Sequence, residues 1–279
     1  MLSPLISTSE LATLIGDPTL VIVDTRHDLM NPSIGRDAYA AGHIPGAIFV
    51  SIDDDLSGAK TGKNGRHPLP STADFATTLG AKGISNASKV VVYDQGSSTY
   101  VGRLWWMLRW VGHDNVFVLD GGFAQWVKDG RATETSANAL PTTMFIASPR
   151  DEMRLTAEQT HTAISQPQRR IVDARAPERY RGEVEPIDPV GGHIPGAFNR
   201  AFANNLRDGV YKPADELRAE FEALLAGRKP EDLIHQCGSG VSALSNMIAM
   251  EHAGLSGSKL YAGSWSEWCA DPGRPVAKV

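Results

Sequence analysis

The chain has 279 residues, 42% of them hydrophobic and 21% charged, with a formal net charge of −5. At roughly 100–200 residues per domain that length suggests two domains or one large one. No apolar run approaches the ~20 residues of a membrane span, and a mildly acidic balance without a basic stripe argues against nucleic acid as a partner. There are two cysteines, Cys237 and Cys269, and no C-x-x-C pair. Neither a disulfide scaffold nor a metal site is expected, no cofactor is implied, and a reduced, cytoplasmic setting fits best. The opening residues, "MLSPLISTSELATLIGD", lack a basic flank ahead of an apolar core, so no secretory signal is expected.

In chain order, "LVIVD" at 20–24 reads as a buried strand and "ADFATTLGAKG" as a helix ending in glycine. "KVVVYD" is a strand, "TYVGRLWWMLRWVGH" a strongly apolar helix and "VFVLDGG" another strand. Residues 131–154, rich in Ala, Thr and Ser and without periodicity, read as a linker. Beyond it the order returns: "IVDA", the helix "PADELRAEFEALLAG", "DLIHQ", the helix "SALSNMIAMEHAG" and "KLYAG". Alternation of this kind implies a parallel sheet with helices on both faces. In such sheets ligands sit beyond the carboxyl ends of the strands, where "DLIHQ" delivers Cys237.

The sequence also repeats itself. "VIVDTR" at 21–26 returns as "RIVDAR" at 170–175, and "AGHIPGAIF" at 41–49 as "GGHIPGAFN" at 191–199. "VFVLDGGFAQW" at 116–126 returns loosely as "SKLYAGSWSEW" at 258–268. Two long copies mean a duplicated domain. The expected division is 1–130, the linker 131–154, and 155–279.

Cys237 opens the stretch "CGSGVSA" between a strand and a helix. A thiol is a good nucleophile when its thiolate is favoured. Converging backbone N–H groups and a helix N-terminus achieve this without a charged side chain. Gly238 and Gly240 suit positive φ angles that turn N–H groups inward, while Ser239 and Ser242 add hydroxyl donors. The bland alternative is a packed core cysteine. "GSGVSA" also matches a dinucleotide fingerprint, but the acidic residue expected about 20 positions on is missing. A cysteine phosphatase would close the loop with an arginine where this chain has Ala243.

Taken together, "VDAR", "GHIPGA", the strand-borne "CGSGV" loop and "YAGSWSEW" resemble the tandem-domain rhodanese-like sulfurtransferases, from about Leu20 to Pro275. The resemblance implies two tandem rhodanese-like domains, each an α/β unit with a parallel sheet flanked by helices. It implies a catalytic Cys237 in the second domain and a catalytically silent first domain, where Asp94 or Gln95 stands opposite the cysteine. Val241 and Ser242 complete the active-site loop. Loops of the form Cys-Gly-Ser-Gly-Val resemble the 3-mercaptopyruvate type, whereas thiosulfate-preferring members carry cations there. The same resemblance implies a serine–histidine–aspartate set at Ser239, His67 and Asp53, and substrate carboxylate binding by Arg179, with Arg181 as a neighbour. A second family arginine is missing, since this chain reads Ile187 and Asp188 in that neighbourhood.

The implied partners are a small-molecule sulfur donor, 3-mercaptopyruvate or thiosulfate, and an acceptor such as cyanide, a thiol or a thioredoxin-like protein. A protein-partnered sulfur carrier with little small-molecule turnover is the alternative of another class. Recurrence in both halves points to structural roles for His43, His193 and the Asp24–Arg26 and Asp173–Arg175 pairs. Trp105, Trp106 and Trp110 read as core; Trp265 and Trp268 read as either pocket rim or packing; Cys269 reads as peripheral.

Overall fold

The computed structural model describes residues 3–279. The first repeat holds strands β1 (Leu5–Ile6), β2 (Leu20–Asp24), β3 (Ile48–Phe49), β4 (Lys89–Tyr93) and β5 (Val116–Leu119). Its helices are α1 (Thr8–Leu14), α2 (Ser33–Ala41), α3 (Thr72–Ala81), α4 (Val101–Trp110) and α5 (Gly122–Lys128). The second repeat has β6 (Arg154–Leu155), α6 (Ala157–Ile164), β7 (Arg170–Asp173), α7 (Pro177–Arg181) and β8 (Phe198–Asn199). There follow a hairpin of β9 (Leu206–Arg207) and β10 (Val210–Tyr211), then α8 (Ala214–Leu225), β11 (Leu233–Gln236), α9 (Ala243–His252), β12 (Lys259–Tyr261) and α10 (Ser264–Trp268).

Each repeat folds into a five-stranded parallel sheet, ordered β1-β5-β4-β2-β3 in the first and β6-β12-β11-β7-β8 in the second. Strands buried on both faces read as unbroken apolar runs, which is why "LVIVD" and "KVVVY" are legible. The two-residue edge strands carry no such pattern.

The repeated motifs become matching braces. Arg26 grips Asp24 with Nε and Nη2 and reaches the Gly42 carbonyl at 2.7 Å. Arg175 does the same to Asp173 and the Gly192 carbonyl at 2.6 Å. His43 stacks on Tyr39 and bonds its carbonyl through Nδ1, and His193 stacks likewise on Tyr180. These pairs fasten the loop after one strand to the "GHIP" turn in each half.

One apolar cluster crosses between the repeats, joining Leu104, Trp105 and Leu108 of α4 to Leu244, Met247 and Ile248 of α9. Gly102 permits the approach of these helices: a Cβ there would lie 2.6 Å from that of Leu244. Trp105, Trp106 and Trp110 are buried in this core. Trp265 and Trp268 are fully buried too, so they pack and form no pocket rim. Residues 135–150 form no helix or strand but are pinned to the first repeat through Phe145, a buried side chain, and Thr143, whose N–H donates to Gly80. Among the described residues no helix is long and apolar enough to cross a membrane.

Candidate active site

Cys237 directly follows β11, a central strand, and is buried and free. Its loop is bolted to the segment after β12: the Cys237 N–H donates to Ser264 Oγ at 3.1 Å, and Trp265 N–H donates to the Cys237 carbonyl at 3.0 Å. Within the loop, the Val241 N–H points at Sγ from 3.3 Å. Burial raises the thiol pKa, but the Ser242 hydroxyl and the N–H groups of Ala243, Ser239 and Val241 outweigh it, and the net effect is a lowered value.

The two loop glycines serve different needs. Gly240 sits at φ +71°, and a Cβ would come within 2.1 Å of the Ala262 carbonyl oxygen. Gly238 does not adopt the positive φ expected for it. A Cβ there would stand 2.7 Å from the end of the Arg66 side chain, which would have to shift.

Ser239, His67 and Asp53 come together from three loops in two repeats. His67 Nδ1 lies 2.8 Å from Ser239 Oγ, and its Nε2 faces Asp53 Oδ1 at 3.6 Å. His67 is buried, and Arg103 holds its carbonyl at 2.8 Å. Burial, followed by the charge of Arg103, drives its pKa down to about 3 against the opposing pull of Asp53, so the imidazole is neutral. Of the three consecutive aspartates, Asp54 is exposed and Asp55 pairs with Lys82 at 2.8 Å, leaving Asp53 to face the histidine. Lys60 caps Asp53 at 3.0 Å, and His27 Nε2 approaches its other oxygen at 3.8 Å.

A cavity of about 210 Å³ opens at this point, lined by Cys237, Ser239, Ser242, His67, Arg66 and Arg179. Two larger cavities, of about 420 Å³ around Tyr39 and Lys82 and about 580 Å³ around Arg109 and Arg150, have no cysteine or histidine in their walls.

Arg179 reaches the cavity while held by Glu185 at 2.7 Å and Asp188 at 3.2 Å. Arg181 does not belong here. Its guanidinium forms a bidentate pair with Glu183 at 2.8 Å on the surface, because the short helix α7 turns it away from Arg179. In its place stands Arg66, from the first repeat, which sequence reasoning missed although it adjoins His67. Arg66 bonds Asp188, the residue standing in the neighbourhood where a second arginine was expected.

Arg103 was missed as well. It lies in the middle of α4, fully buried, and bonds only carbonyl oxygens: those of Leu56, His67, Pro68 and Gly240. No carboxylate neutralises it. Burial pulls its pKa down to about 10, opposed by the negative charge of the Cys237 thiolate. A buried unpaired ion costs roughly several kcal/mol. Four carbonyls offset part of that cost, and a thiolate at Cys237 would offset more.

Likeness to known proteins gives the family. The Rhodanese-like domain profile matches residues 7–129 and again 156–271. The chain is 44% identical over 276 residues to a Pseudomonas aeruginosa protein named "Probable 3-mercaptopyruvate sulfurtransferase", covering 98% of this chain and 97% of that one. It is 37% identical over 258 residues to bovine thiosulfate sulfurtransferase, covering 90% and 85% of the two chains. The crystal structure of the Escherichia coli 3-mercaptopyruvate enzyme superposes with a TM-score of 0.83 at 32% identity, over 95% of this chain and 99% of that one. A rhodanese fold used twice, closed over one cysteine, defines the class as sulfurtransferase. The chain belongs to the tandem-domain rhodanese-like family, in its 3-mercaptopyruvate sulfurtransferase branch.

Proposed function

We propose that this enzyme takes sulfur from 3-mercaptopyruvate through a persulfide on Cys237. The Cys237 thiolate attacks the donor sulfur, a sulfur–sulfur bond forms and the donor carbon–sulfur bond breaks. The electron pair of that bond leaves as the enolate of pyruvate, which takes a proton from water at carbon. A nucleophilic acceptor, cyanide or the thiolate of a small thiol or thioredoxin-like dithiol, then attacks the outer sulfur and restores the Cys237 thiolate.

The observation that carries this reading is Ser239 Oγ, held at 2.8 Å by neutral His67 two residues beyond the cysteine. Ser239 donates its hydroxyl proton towards the donor ketone oxygen as enolate charge grows there, and His67 Nδ1 keeps that hydroxyl in place. General acid–base help of this kind contributes about 10²–10⁴-fold. Arg66 and Arg179 offer planar forks to the donor carboxylate.

Charge balance supports the choice of donor. The carboxylates Asp173, Glu185 and Asp188 match Arg175, Arg179 and Arg66, and Arg103 is matched by the thiolate. A site so nearly neutral offers hydrogen bonds without excess positive charge, which suits a monoanion better than dianionic thiosulfate. The first repeat is read as catalytically silent, and the boundaries 1–130, 131–154 and 155–279 as its limits. A cytoplasmic setting belongs to the same reading.

The test is kcat/KM for 3-mercaptopyruvate and for thiosulfate with cyanide as acceptor, beside Cys237→Ser. A preference for 3-mercaptopyruvate that vanishes in the variant is expected. A preference for thiosulfate would overturn the donor assignment, and activity surviving in the variant would overturn the role of Cys237.

A further inference from the structure

The loop after β2 carries a histidine with no counterpart in the other repeat. His27 follows Arg26 where Ala176 follows Arg175. Its side chain is 4% exposed and packs edge-on against Tyr100, with ring centroids 4.9 Å apart. Its Nε2 is buried without a hydrogen-bond partner. That nitrogen looks at Asp53 Oδ2 from 3.8 Å, while His67 Nε2 looks at Oδ1 from 3.6 Å. Both gaps are too long for direct hydrogen bonds. A carboxylate thus stands between two imidazole nitrogens, and the three ligand atoms all lie within 4.8 Å of one another.

A tetrahedral zinc-type ion holds such ligands at about 2.0–2.2 Å, which spaces them about 3.4 Å apart. The gaps to the two Asp53 oxygens, 3.8 and 3.6 Å, exceed that spacing by a few tenths of an ångström, and with all three ligand atoms within 4.8 Å of one another small side-chain rotations would close the set. We propose that His27, Asp53 and His67 form a binding site for a divalent transition-metal ion, with a fourth position left to water. Two imidazoles and one carboxylate suit Zn²⁺ or Co²⁺ better than Mg²⁺ or Ca²⁺. Lys60, half exposed, now covers Asp53 and competes with the ion for the same oxygen. It is a long surface side chain that can swing out.

With the metal on Nε2, the His67 proton must sit on Nδ1 and donate to Ser239 Oγ, the tautomer that leaves the serine hydroxyl proton free for the donor ketone. That consequence, unlike the site itself, rests on the proposed role of the Ser239–His67 pair.

The site is tested with Co²⁺ and Zn²⁺ alone, on the full chain carrying Cys237→Ser and Cys269→Ser so that no thiol competes. One Co²⁺ per chain is expected by calorimetry, with visible d–d bands and no sulfur charge-transfer band. Adding His27→Gln should weaken binding at least about tenfold. Adding Lys60→Met should tighten it, an effect that a merely structural role for these residues does not produce. Unchanged affinity in His27→Gln, or no binding at 100 μM to the folded protein, would overturn the site.

Discussion

The two strand-end loops of this protein have the same ancestry and hold different anions. In the second repeat the loop after β11 turns its N–H groups onto the sulfur of Cys237. In the first, the residue after β4 is Asp94, and the loop turns the N–H groups of Gly96 and Tyr100 onto its carboxylate at 2.8 and 3.1 Å. The correspondence is fixed by what brackets the loops: Phe123 N–H donates to the Asp94 carbonyl as Trp265 N–H does to that of Cys237. Helix α4 starts seven residues beyond Asp94, whereas α9 starts six beyond Cys237, so the first loop carries one extra residue. On the function proposed above, one such cradle serves chemistry while the other braces its own loop around a fixed carboxylate. The loop dictates that a negative charge be present; the residue dictates whether that charge reacts.

The largest effect that would break this comparison is expected at the reactive anion. Cys237→Ser should leave no turnover above buffer while melting close to wild type, since a hydroxyl fits the cradle but does not carry sulfur. Residual turnover would mean that Cys237 is not the sulfur carrier. Next comes His67→Ala, expected to lower kcat/KM for 3-mercaptopyruvate by about 10²–10⁴-fold and to affect persulfide transfer to cyanide far less. An equal loss in both half-reactions would place His67 in the fold and not in the chemistry.

A smaller effect concerns the buried cation that only the reactive loop possesses. Because the folded environment lowers the Cys237 pKa, alkylation by iodoacetamide should stay fast as pH falls below the ordinary thiol range near 8.5, and slow only below the lowered value. Arg103→Met should move that decline upward by less than the loop's own hydrogen bonds move it down, slowing alkylation below it. Arg103→Lys, which keeps the charge, should restore the profile. A profile unmoved by Arg103→Met would show that the loop N–H groups suffice. The smallest effect is on the braced side. Asp94→Ala should leave activity within about twofold but strip two N–H groups of their acceptor, costing about 1–3 kcal/mol and roughly 2–6 °C in Tm.

The duplication and the cysteine loop were legible because both rest on local sequence. Buried strands such as "LVIVD" advertise themselves, and a cysteine before Gly-x-Gly at a strand end raises its own question. Ser239, His67 and Asp53 came from a family likeness, for no spacing in the chain announces that residues 172 positions apart touch. Arg66 was passed over although it stands beside His67. Arg103 left a clearer signal: a charge inside the apolar run "VGRLWWMLRW" demands a counter-charge, and asking for it leads to Cys237. Gly238 was expected at positive φ, which only Gly240 of the two adopts. The hairpin β9–β10 and the two-residue edge strands were invisible, because so few residues show no periodicity.

The division of the site between repeats also imposes an order in time. His67, Asp53, Arg66 and Arg103 leave the ribosome well before Cys237, and at ~5–20 residues per second the 172 residues between His67 and Ser239 take roughly 10–35 s to make. Throughout that interval the first repeat has no thiolate to set against Arg103. The Cys237 loop brings its own N–H groups, but the site around it is complete only once both repeats exist, since His67, Asp53, Arg66 and Arg103 come from the first and Cys237 and Ser239 from the second.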